Sequence, residues 1–262
     1  MDLAKYGPWA LIVGGSEGAG AAFTRKLASD GFKLVLTARK TGPLEDLAAE
    51  LRGQGAEVRT LSADLKQLDV LDQVRKITDD IEVGLLVFHA GANDTRGNFV
   101  ELPREVTQGV IQITVVGQSD FARHYGGLMC QRRRGGMILC GSLSSYMGAA
   151  SLAAYTAAKA YSRIFSEALW SECGAFGVDV LHLNVGFTGT PAMARLGMDI
   201  SQAQSPDDLA QEGLDNIANG PVWIAGGEAN WERARQRSVI DNRREAIEKF
   251  ATPPRDVMEE KE

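Results

Sequence analysis

Residues 9–20, Trp9-Ala-Leu-Ile-Val-Gly-Gly-Ser-Glu-Gly-Ala-Gly20, join an uninterrupted apolar run to a cluster of glycines. We predict a buried strand over residues 9–15 and a helix over residues 18–30. Gly14 permits a tight turn, Gly18 lets the backbone approach a pyrophosphate, and Gly20 lets the helix pack closely on the strand. The free N–H groups of the helix would then bind phosphates, so this stretch predicts a dinucleotide-binding turn.

The rest of the chain repeats the same alternation of short apolar runs and longer amphipathic segments. Alternating strands and helices indicate a doubly wound α/β fold, a parallel sheet with helices on both faces and ligands beyond the carboxyl ends of the strands. We expect one domain over residues 1–262, with a core at about 7–225 and a C-terminal helix at about 229–251. The further predicted strands are 33–38, 57–62, 84–89, 136–141, 178–185 and 221–225, and the further predicted helices are 43–52, 68–79, 104–133, 152–176, 205–220 and 231–250.

Composition narrows the function classes. The chain has 262 residues and a net charge of −6, and this acidic balance argues against nucleic acid as the main partner. The run Arg132-Arg133-Arg134 reads more simply as a solvated loop. No apolar run approaches the roughly 18 residues needed to cross a membrane, and no signal-peptide region is visible. Three dispersed cysteines fit a reducing cytoplasm, and three scattered histidines give no zinc spacing, so we expect no metal.

The second predicted strand ends at a position that reads the ribose 2′-hydroxyl or 2′-phosphate of a dinucleotide. An acidic residue there would favour NAD, but the chain has Arg39 followed by Lys40. A guanidinium could bind a 2′-phosphate, so NADP(H) is favoured and NAD(H) stays possible. The alternative is that these cations belong to a solvated loop, and Glu17 is an awkward neighbour for a phosphate. Asp64, after the third strand, could accept a hydrogen bond from adenine or cap the following helix.

A tyrosine and a lysine lie four residues apart on the predicted helix 152–176. Positions i and i+4 share one helix face, so Tyr155 and Lys159 should lie side by side. A lysine cation close to a phenol favours the phenolate, which can then exchange a proton with an alcohol oxygen. Ser142, thirteen residues earlier, could hold that oxygen. The spacing alone is common by chance, so the pair gains weight only from its setting in the predicted fold.

With these motifs in place, the sequence resembles the short-chain dehydrogenase/reductase family from about residue 7 to residue 220. The resemblance rests on the glycines at 14, 18 and 20, Ala90-Gly91, Ser142, Tyr155 with Lys159, and the segment Gly186-Phe-Thr-Gly-Thr190. It implies a single Rossmann-type domain with a seven-stranded parallel sheet. It also implies hydride transfer between a nicotinamide and a carbonyl or carbinol carbon, and assembly as a homodimer or homotetramer.

The resemblance assigns roles residue by residue. It implies Ser142, Tyr155, Lys159 and Thr114 as catalytic residues, with Lys159 also bonding the nicotinamide ribose. The cofactor-binding residues, from the motifs and the resemblance together, are Gly14, Ser16, Glu17, Gly18, Ala19, Arg39, Asp64, Leu65, Ala90, Gly91, Tyr155, Lys159, Gly186, Thr188 and Thr190.

Five positions depart from the family pattern. Val13 replaces a threonine, His89 and Thr114 replace asparagines, Gly141 replaces a serine, and Val185 replaces a proline. The threonine at 114 keeps a hydroxyl that could serve the proton relay, and His89 is interpreted as structural. These departures motivate an alternative from another class, an NADP-binding sensor or scaffold protein with little or no turnover.

The substrate is the least determined part of the sequence. We expect the pocket wall to include Ser144 and Tyr146, and a flap after Thr190 to include Met193, with Leu196 and Met198 further along. Because methionine makes adaptable apolar contacts, we predict an apolar or aromatic ketone or secondary alcohol of moderate size. Residues 93–96 could add polar contacts or could simply be loop.

Overall fold

The computed structural model describes residues 1–91, 96–195, 197–239, 241 and 243–251. Its seven strands form one parallel sheet in the order β3-β2-β1-β4-β5-β6-β7, which confirms the predicted doubly wound α/β architecture. The strands are β1 (Trp9–Val13), β2 (Lys33–Ala38), β3 (Val58–Ser62), β4 (Val83–Phe88), β5 (Gly135–Cys140), β6 (Val178–Asn184) and β7 (Val222–Ile224).

Helices cover both faces of this sheet. Among the described residues, no helix is both long and apolar enough to cross a bilayer. A π-helical segment, Gln112–Gly117, joins α5 to α6, and two short 3₁₀ segments are Leu143–Tyr146 and Ile217–Asn219. The α-helices are α1 (Leu3–Tyr6), α2 (Gly18–Ser29), α3 (Thr41–Gly53), α4 (Val70–Arg75), α5 (Arg104–Ile111), α6 (Gln118–Arg132), α7 (Ala153–Gly174), α8 (Pro191–Arg195), α9 (Pro206–Asp215), α10 (Glu228–Ser238) and α11 (Arg243–Ala251).

The strand order reverses between β1 and β4, because the chain runs outward through β2 and β3 before it returns to the other side of β1. Every residue of β1, β4 and β5 is buried, as expected for strands covered on both faces. One core includes Phe23 of α2 and Leu44 of α3, and the other includes Phe121 and Tyr125 of α6. The crevice at this reversal is where doubly wound folds bind ligands.

The glycine turn after β1 has the backbone that the sequence predicted. Gly14 and Gly18 have φ angles of +89° and +55°, which side chains other than hydrogen disfavour. A Cβ atom on Gly20 would lie 1.9 Å from the carbonyl oxygen of Gly14. Helix α2 therefore starts against the end of β1 only because residue 20 has no side chain.

Two predicted helices differ from the structure. The helix predicted over residues 231–250 is divided into α10 and α11, because Val239 has an extended backbone after Ser238 turns its hydroxyl onto the Ala234 carbonyl. The helix predicted over residues 68–79 is shortened to α4. Its end is drawn into a tight turn, where the Thr78 side chain bonds both the Val74 carbonyl and the Tyr125 hydroxyl.

The contact between Gly20 and Gly14 gives a stability prediction. Gly20→Ala should lower the free energy of unfolding by at least about 2 kcal/mol, because the added methyl group overlaps backbone that has no room to move. The matched control is Gly127→Ala, at an exposed position of α6. A Cβ atom there meets nothing within 4 Å, so the variant should gain up to about 1 kcal/mol in helix propensity. Urea unfolding measures both, and equal stabilities for the two variants would contradict the packing argument.

Candidate active site

The lysine of the predicted pair lies at the carboxyl ends of the central strands. Lys159 is only 5% exposed, and its ammonium donates a hydrogen bond of 3.0 Å to the carbonyl of Cys140, the last residue of β5. A Cβ atom on Gly91, just beyond β4, would lie 3.4 Å from the same nitrogen. The segment after β4 therefore passes within van der Waals reach of a buried cation.

Tyr155 lies one turn earlier on α7, on the same face as Lys159. The lysine nitrogen is 5.9 Å from the centre of the tyrosine ring, so α7 presents the phenol and the cation together. Ser142 is the residue at which the 3₁₀ segment begins, and its hydroxyl oxygen accepts a hydrogen bond of 3.1 Å from the Ser144 amide. That bond uses a lone pair and leaves the Ser142 proton free to donate. The predicted serine thus follows β5 by two residues, and the tyrosine and the lysine lie on α7, whose lysine bonds the end of β5.

An apolar crevice opens beside Tyr155. The loop before α5 approaches the start of α7, where the Gly97 amide donates to the Ser151 carbonyl at 3.1 Å. Phe99 is 57% exposed at this crevice, which supplies an aromatic contact surface in front of the phenol. The larger side chains that line it are those of Phe99, Leu102, Val106, Val110, Leu152 and Tyr155.

Thr114 lies inside the π-helical segment, behind the site. Its side chain is 1% exposed, and its hydroxyl has no hydrogen-bond partner among the residues that the structure describes. π-helical turns are rare and often occur at functional sites. A buried hydroxyl without a partner is costly, so this position has the capacity to hold a water or another polar group.

Two buried histidines surround the lysine. Burial lowers the pKa of His89 to about 4 and the pKa of His182 to about 3, and the positive charge of Lys159 is the next largest cause in both cases. Both imidazoles are therefore neutral near neutral pH. Lys159 consequently has two uncharged imidazoles near it.

The glycine at residue 141 has a direct steric explanation. A Cβ atom there would lie 2.1 Å from Nε2 of His182, which occupies the adjacent strand β6. The imidazole also approaches the Ser166 hydroxyl at 3.3 Å, and that hydroxyl donates to the Ser162 carbonyl at 2.7 Å. The large buried ring on β6 thus excludes a side chain at residue 141.

Several of the predicted cofactor residues lie close together, in a cradle between the glycine turn and the segment after β6. A Cβ atom on Gly14 would meet the Ala90 backbone at 3.0 Å, and one on Gly18 would meet Thr190 at 3.0 Å. The Thr188 hydroxyl is buried and has no partner within the described part of the chain. Close glycine packing and an unsatisfied hydroxyl both fit a cofactor that runs from the glycine turn to the segment after β6.

The end of this cradle near β2 is charged. The Glu17 carboxylate accepts two hydrogen bonds from the Arg195 guanidinium, at 3.1 and 3.0 Å, and its nearer oxygen is 3.6 Å from the Lys40 ammonium. Those bonds to Arg195 are the main reason that the pKa of Glu17 is lowered. Arg39 is exposed, and its guanidinium makes no hydrogen bond or ion pair within the described ranges.

Other predicted cofactor residues have mainly structural contacts. Asp64 accepts a hydrogen bond of 3.0 Å from the Lys66 amide, so it closes a turn, and α4 begins only at Val70. Leu65 packs in the core on the α6 side of the sheet. Ser16 is half-buried in the glycine turn, while Ala19 is buried at the start of α2.

The predicted substrate residues are divided by the structure. Tyr146 packs against α10, its hydroxyl accepts a hydrogen bond of 3.2 Å from the Asn184 side chain, and burial raises its pKa. Ser144 and Met193 are half-buried, on the 3₁₀ segment and on α8. The predicted flap residue Leu196 lies outside the described residues, as do residues 93–95.

Three structural contributors were missed by the sequence reasoning. Arg195 reaches the glycine turn across 178 residues, and no local pattern signals that contact. Arg237 and Arg243 donate to the carbonyls of Leu143 and Tyr146, at 3.2 and 2.7 Å, and tie the C-terminal helices to the segment after Ser142. The only available signal was the basic character of the terminal segment.

Comparisons with known proteins identify the family of this chain. A family model for short chain dehydrogenase matches residues 8–201, and the chain belongs to this family. It is accordingly an NAD(P)-dependent oxidoreductase that acts on a CH–OH or C=O group.

The relatives include a 7beta-hydroxysteroid dehydrogenase of Clostridium sardiniense, 29% identical over 90% of this chain and 92% of that protein. A solved structure from work on 7beta-hydroxysteroid dehydrogenase stereoselectivity superposes with a TM-score of 0.89 at 27% identity, covering 95% of this chain and 99% of the other. A short-chain dehydrogenase from Sphingobium yanoikuyae in complex with NADPH gives a TM-score of 0.77 at 26% identity and covers 94% and 97%.

The buried histidines predict how stability depends on pH. Because the folded chain holds the pKa of His89 at about 4, below the ordinary value of 6.5, the unfolded chain binds the proton more readily. The contribution of the neutral His89 to the free energy of unfolding should be fully present above pH 6.5 and should be lost as the pH drops towards about 4. His89→Asn should reduce this loss by up to about 1.4 kcal/mol per pH unit.

Urea unfolding at about pH 7.5 and about pH 5 measures this loss for both proteins. The comparison depends on the difference between the two pH values, so any constant effect of the substitution cancels. If the difference between the two pH values were the same in His89→Asn as in the wild type, the claim that the fold keeps the His89 imidazole neutral would be refuted.

Proposed function

We propose that this protein is an NADP-dependent oxidoreductase that interconverts a bulky apolar or aromatic ketone and the corresponding secondary alcohol. The observation that carries the proposal is the arrangement of Lys159, Tyr155 and Ser142 at the strand ends, beside an apolar crevice. The proposed catalytic residues are Ser142, Tyr155, Lys159 and Thr114.

Each residue of this set has a defined task in the proposed reaction. The bound nicotinamide supplies or accepts the hydride. Ser142 donates its free hydroxyl proton to the substrate oxygen and fixes its position. Tyr155 gives its proton to that oxygen in reduction and receives one in oxidation. Lys159 stabilises the phenolate that forms, and the Thr114 hydroxyl supports a water through which the proton is replaced.

The preference for NADP is proposed from the end of β2. No acidic residue stands there to bind a free 2′-hydroxyl, and Arg39 offers an exposed guanidinium. The NADPH complex of the Sphingobium yanoikuyae relative supports the same choice. The cradle from Gly14 to Thr188, with Thr190 beside Gly18, would hold the remainder of the cofactor.

The substrate class is proposed from the surface around Tyr155. Phe99 and the aliphatic side chains of the crevice favour a rigid apolar body over a phosphorylated sugar, because they offer no cation for a phosphate. The hydroxysteroid dehydrogenases among the relatives carry that name for alcohols on a fused apolar ring system. We propose that Met193 of α8 and the half-buried Ser144 complete the wall.

Assembly and compartment follow as further proposals. α7 exposes Tyr161 and Ile164, three residues apart on one face, which favours burial of this face in a homodimer or homotetramer. The three cysteines are free thiols, which suits the reducing cytoplasm. We also propose that the whole chain forms one domain.

The role of Tyr155 gives the sharpest test of catalysis. Tyr155→Phe should lower kcat for ketone reduction by about 10²–10⁴-fold, because the proton donor is removed, while NADPH still binds. Tyr161→Phe is the matched control, since that hydroxyl lies on the same helix and contacts only Ser119 among the described residues. Steady-state kinetics measure turnover, and calorimetric titration measures NADPH binding. Retained turnover in Tyr155→Phe would overturn the mechanism.

The substrate class is tested by a panel of carbonyl compounds. Fused-ring and diaryl ketones should be reduced with kcat/KM at least about tenfold above the values for sugar phosphates and for small polyols, the latter measured in the oxidation direction. Phe99→Ala should raise KM for the bulky ketones by several-fold, and Phe176→Ala, which removes an exposed phenyl at the far end of α7, should not. Reaction with sugar phosphates or small polyols alone would refute the proposal.

The alternative is an NADP-binding sensor or scaffold with little turnover, which the five departures from the family pattern favour. Tight NADPH binding with no hydride transfer to any ketone or quinone would support it. The complete set of serine, tyrosine and lysine supports the enzyme.

A further inference from the structure

A carboxylate in the glycine turn is neutralised from two other parts of the chain. The Glu17 carboxylate accepts hydrogen bonds from both terminal nitrogens of Arg195, the last residue of α8. It also lies near Lys40, which follows β2. Residues 39 and 40 follow the strand whose end reads the 2′ position of the adenosine ribose. The negative charge of Glu17, close to this 2′ position, is therefore balanced by neighbouring cations and repels a phosphate less.

We propose that Arg195, through its ion pair with Glu17, sets the selectivity of this site for a 2′-phosphorylated nicotinamide cofactor over the counterpart that lacks the 2′-phosphate. This inference rests on the proposed function and assigns a selectivity role to a residue outside the glycine turn and outside β2. Arg195 acts as a positioning and charge-compensating residue, and Arg39 with Lys40 contacts the phosphate.

The physical argument is one of local charge. An uncompensated carboxylate beside a 2′-phosphate would weaken its binding, because like charges a few ångströms apart repel. Arg195 removes that repulsion with two parallel hydrogen bonds, a geometry that lysine does not provide. Lys40 makes a single longer approach of 3.6 Å and is free to turn towards a phosphate.

The position of α8 explains why Arg195 reaches the turn. Thr190, just before α8, lies 3.0 Å from where a Cβ of Gly18 would be, and its hydroxyl accepts a hydrogen bond of 3.3 Å from the Met193 amide. The start of α8 therefore packs directly on the glycine turn. Its last residue is then carried over Glu17.

Calorimetric titrations with NADPH, NADH, 2′,5′-ADP and 5′-AMP test the inference without a measurement of turnover. Arg195→Gln should weaken NADPH and 2′,5′-ADP by at least about fivefold and change NADH and 5′-AMP by less than about twofold. Glu17→Gln should tighten the binding of the two ligands that carry a 2′-phosphate. The double variant Glu17→Gln with Arg195→Gln should return to within about twofold of the wild type, because the repulsion is gone.

Arg25→Gln is the matched control. Arg25 of α2 makes an equally bidentate and equally exposed ion pair with Glu50 of α3, at 2.9 and 2.9 Å, away from the glycine turn. Its loss should leave all four affinities unchanged. A general effect of breaking one surface ion pair is thereby separated from the charge effect at the 2′ position.

The outcomes separate the inference from the proposed function. A wild-type protein that binds none of the four ligands overturns both. Normal NADPH binding with an unchanged ratio of NADPH to NADH affinity in Arg195→Gln overturns the inference alone. A double variant as weak as Arg195→Gln also overturns it, because Arg195 would then act on the phosphate directly and not through Glu17.

Discussion

The buried ammonium of Lys159 is the constraint around which the centre of this protein is arranged. A cation that is 5% exposed must be hydrogen-bonded, and the carbonyl at the end of β5 meets that need at 3.0 Å. This bond fixes α7 against the sheet and therefore fixes Tyr155, one turn away, beside the crevice. The backbone after β4 also passes close to this ammonium, at Gly91.

Two of the five departures from the family pattern, at residues 89 and 141, lie beside the same cation. His89 and His182 are both held neutral by burial, and the nearby charge of Lys159 contributes to both pKa shifts. The ring of His182 fills the space in which a side chain at residue 141 would lie. The glycine at residue 141 and the histidine on β6 are therefore sterically linked. The departures thus alter the surroundings of the lysine, while the carbonyl that binds it, the phenol and the following serine are retained.

The sequence predicted those features that short-range periodicity and turn chemistry determine. All seven strands were predicted, because buried parallel strands are continuous apolar runs, and the roles of Gly14, Gly18 and Gly20 followed from their spacing. The π-helical segment was not predicted, since residues 112–117 carry an ordinary helical pattern. The ion pair of Glu17 with Arg195 and the exclusion of a side chain at residue 141 by His182 depend on tertiary distance, which single-sequence patterns do not encode.

The C-terminal helices show how a region distant from the motifs takes part in the site. Ser142 begins a short 3₁₀ segment whose first and last carbonyls, those of Leu143 and Tyr146, accept hydrogen bonds from Arg237 and Arg243. Trp231 of α10 packs on the same segment together with the Tyr146 ring. These contacts add to those at the end of β6, where the Leu143 amide donates to the Val185 carbonyl at 3.0 Å and the Ser145 hydroxyl donates to the Asn184 side chain at 3.2 Å. The conformation of the segment places the Ser144 amide on the Ser142 oxygen. The setting of the Ser142 oxygen therefore depends on α10 and α11 as well as on the segment that follows β5.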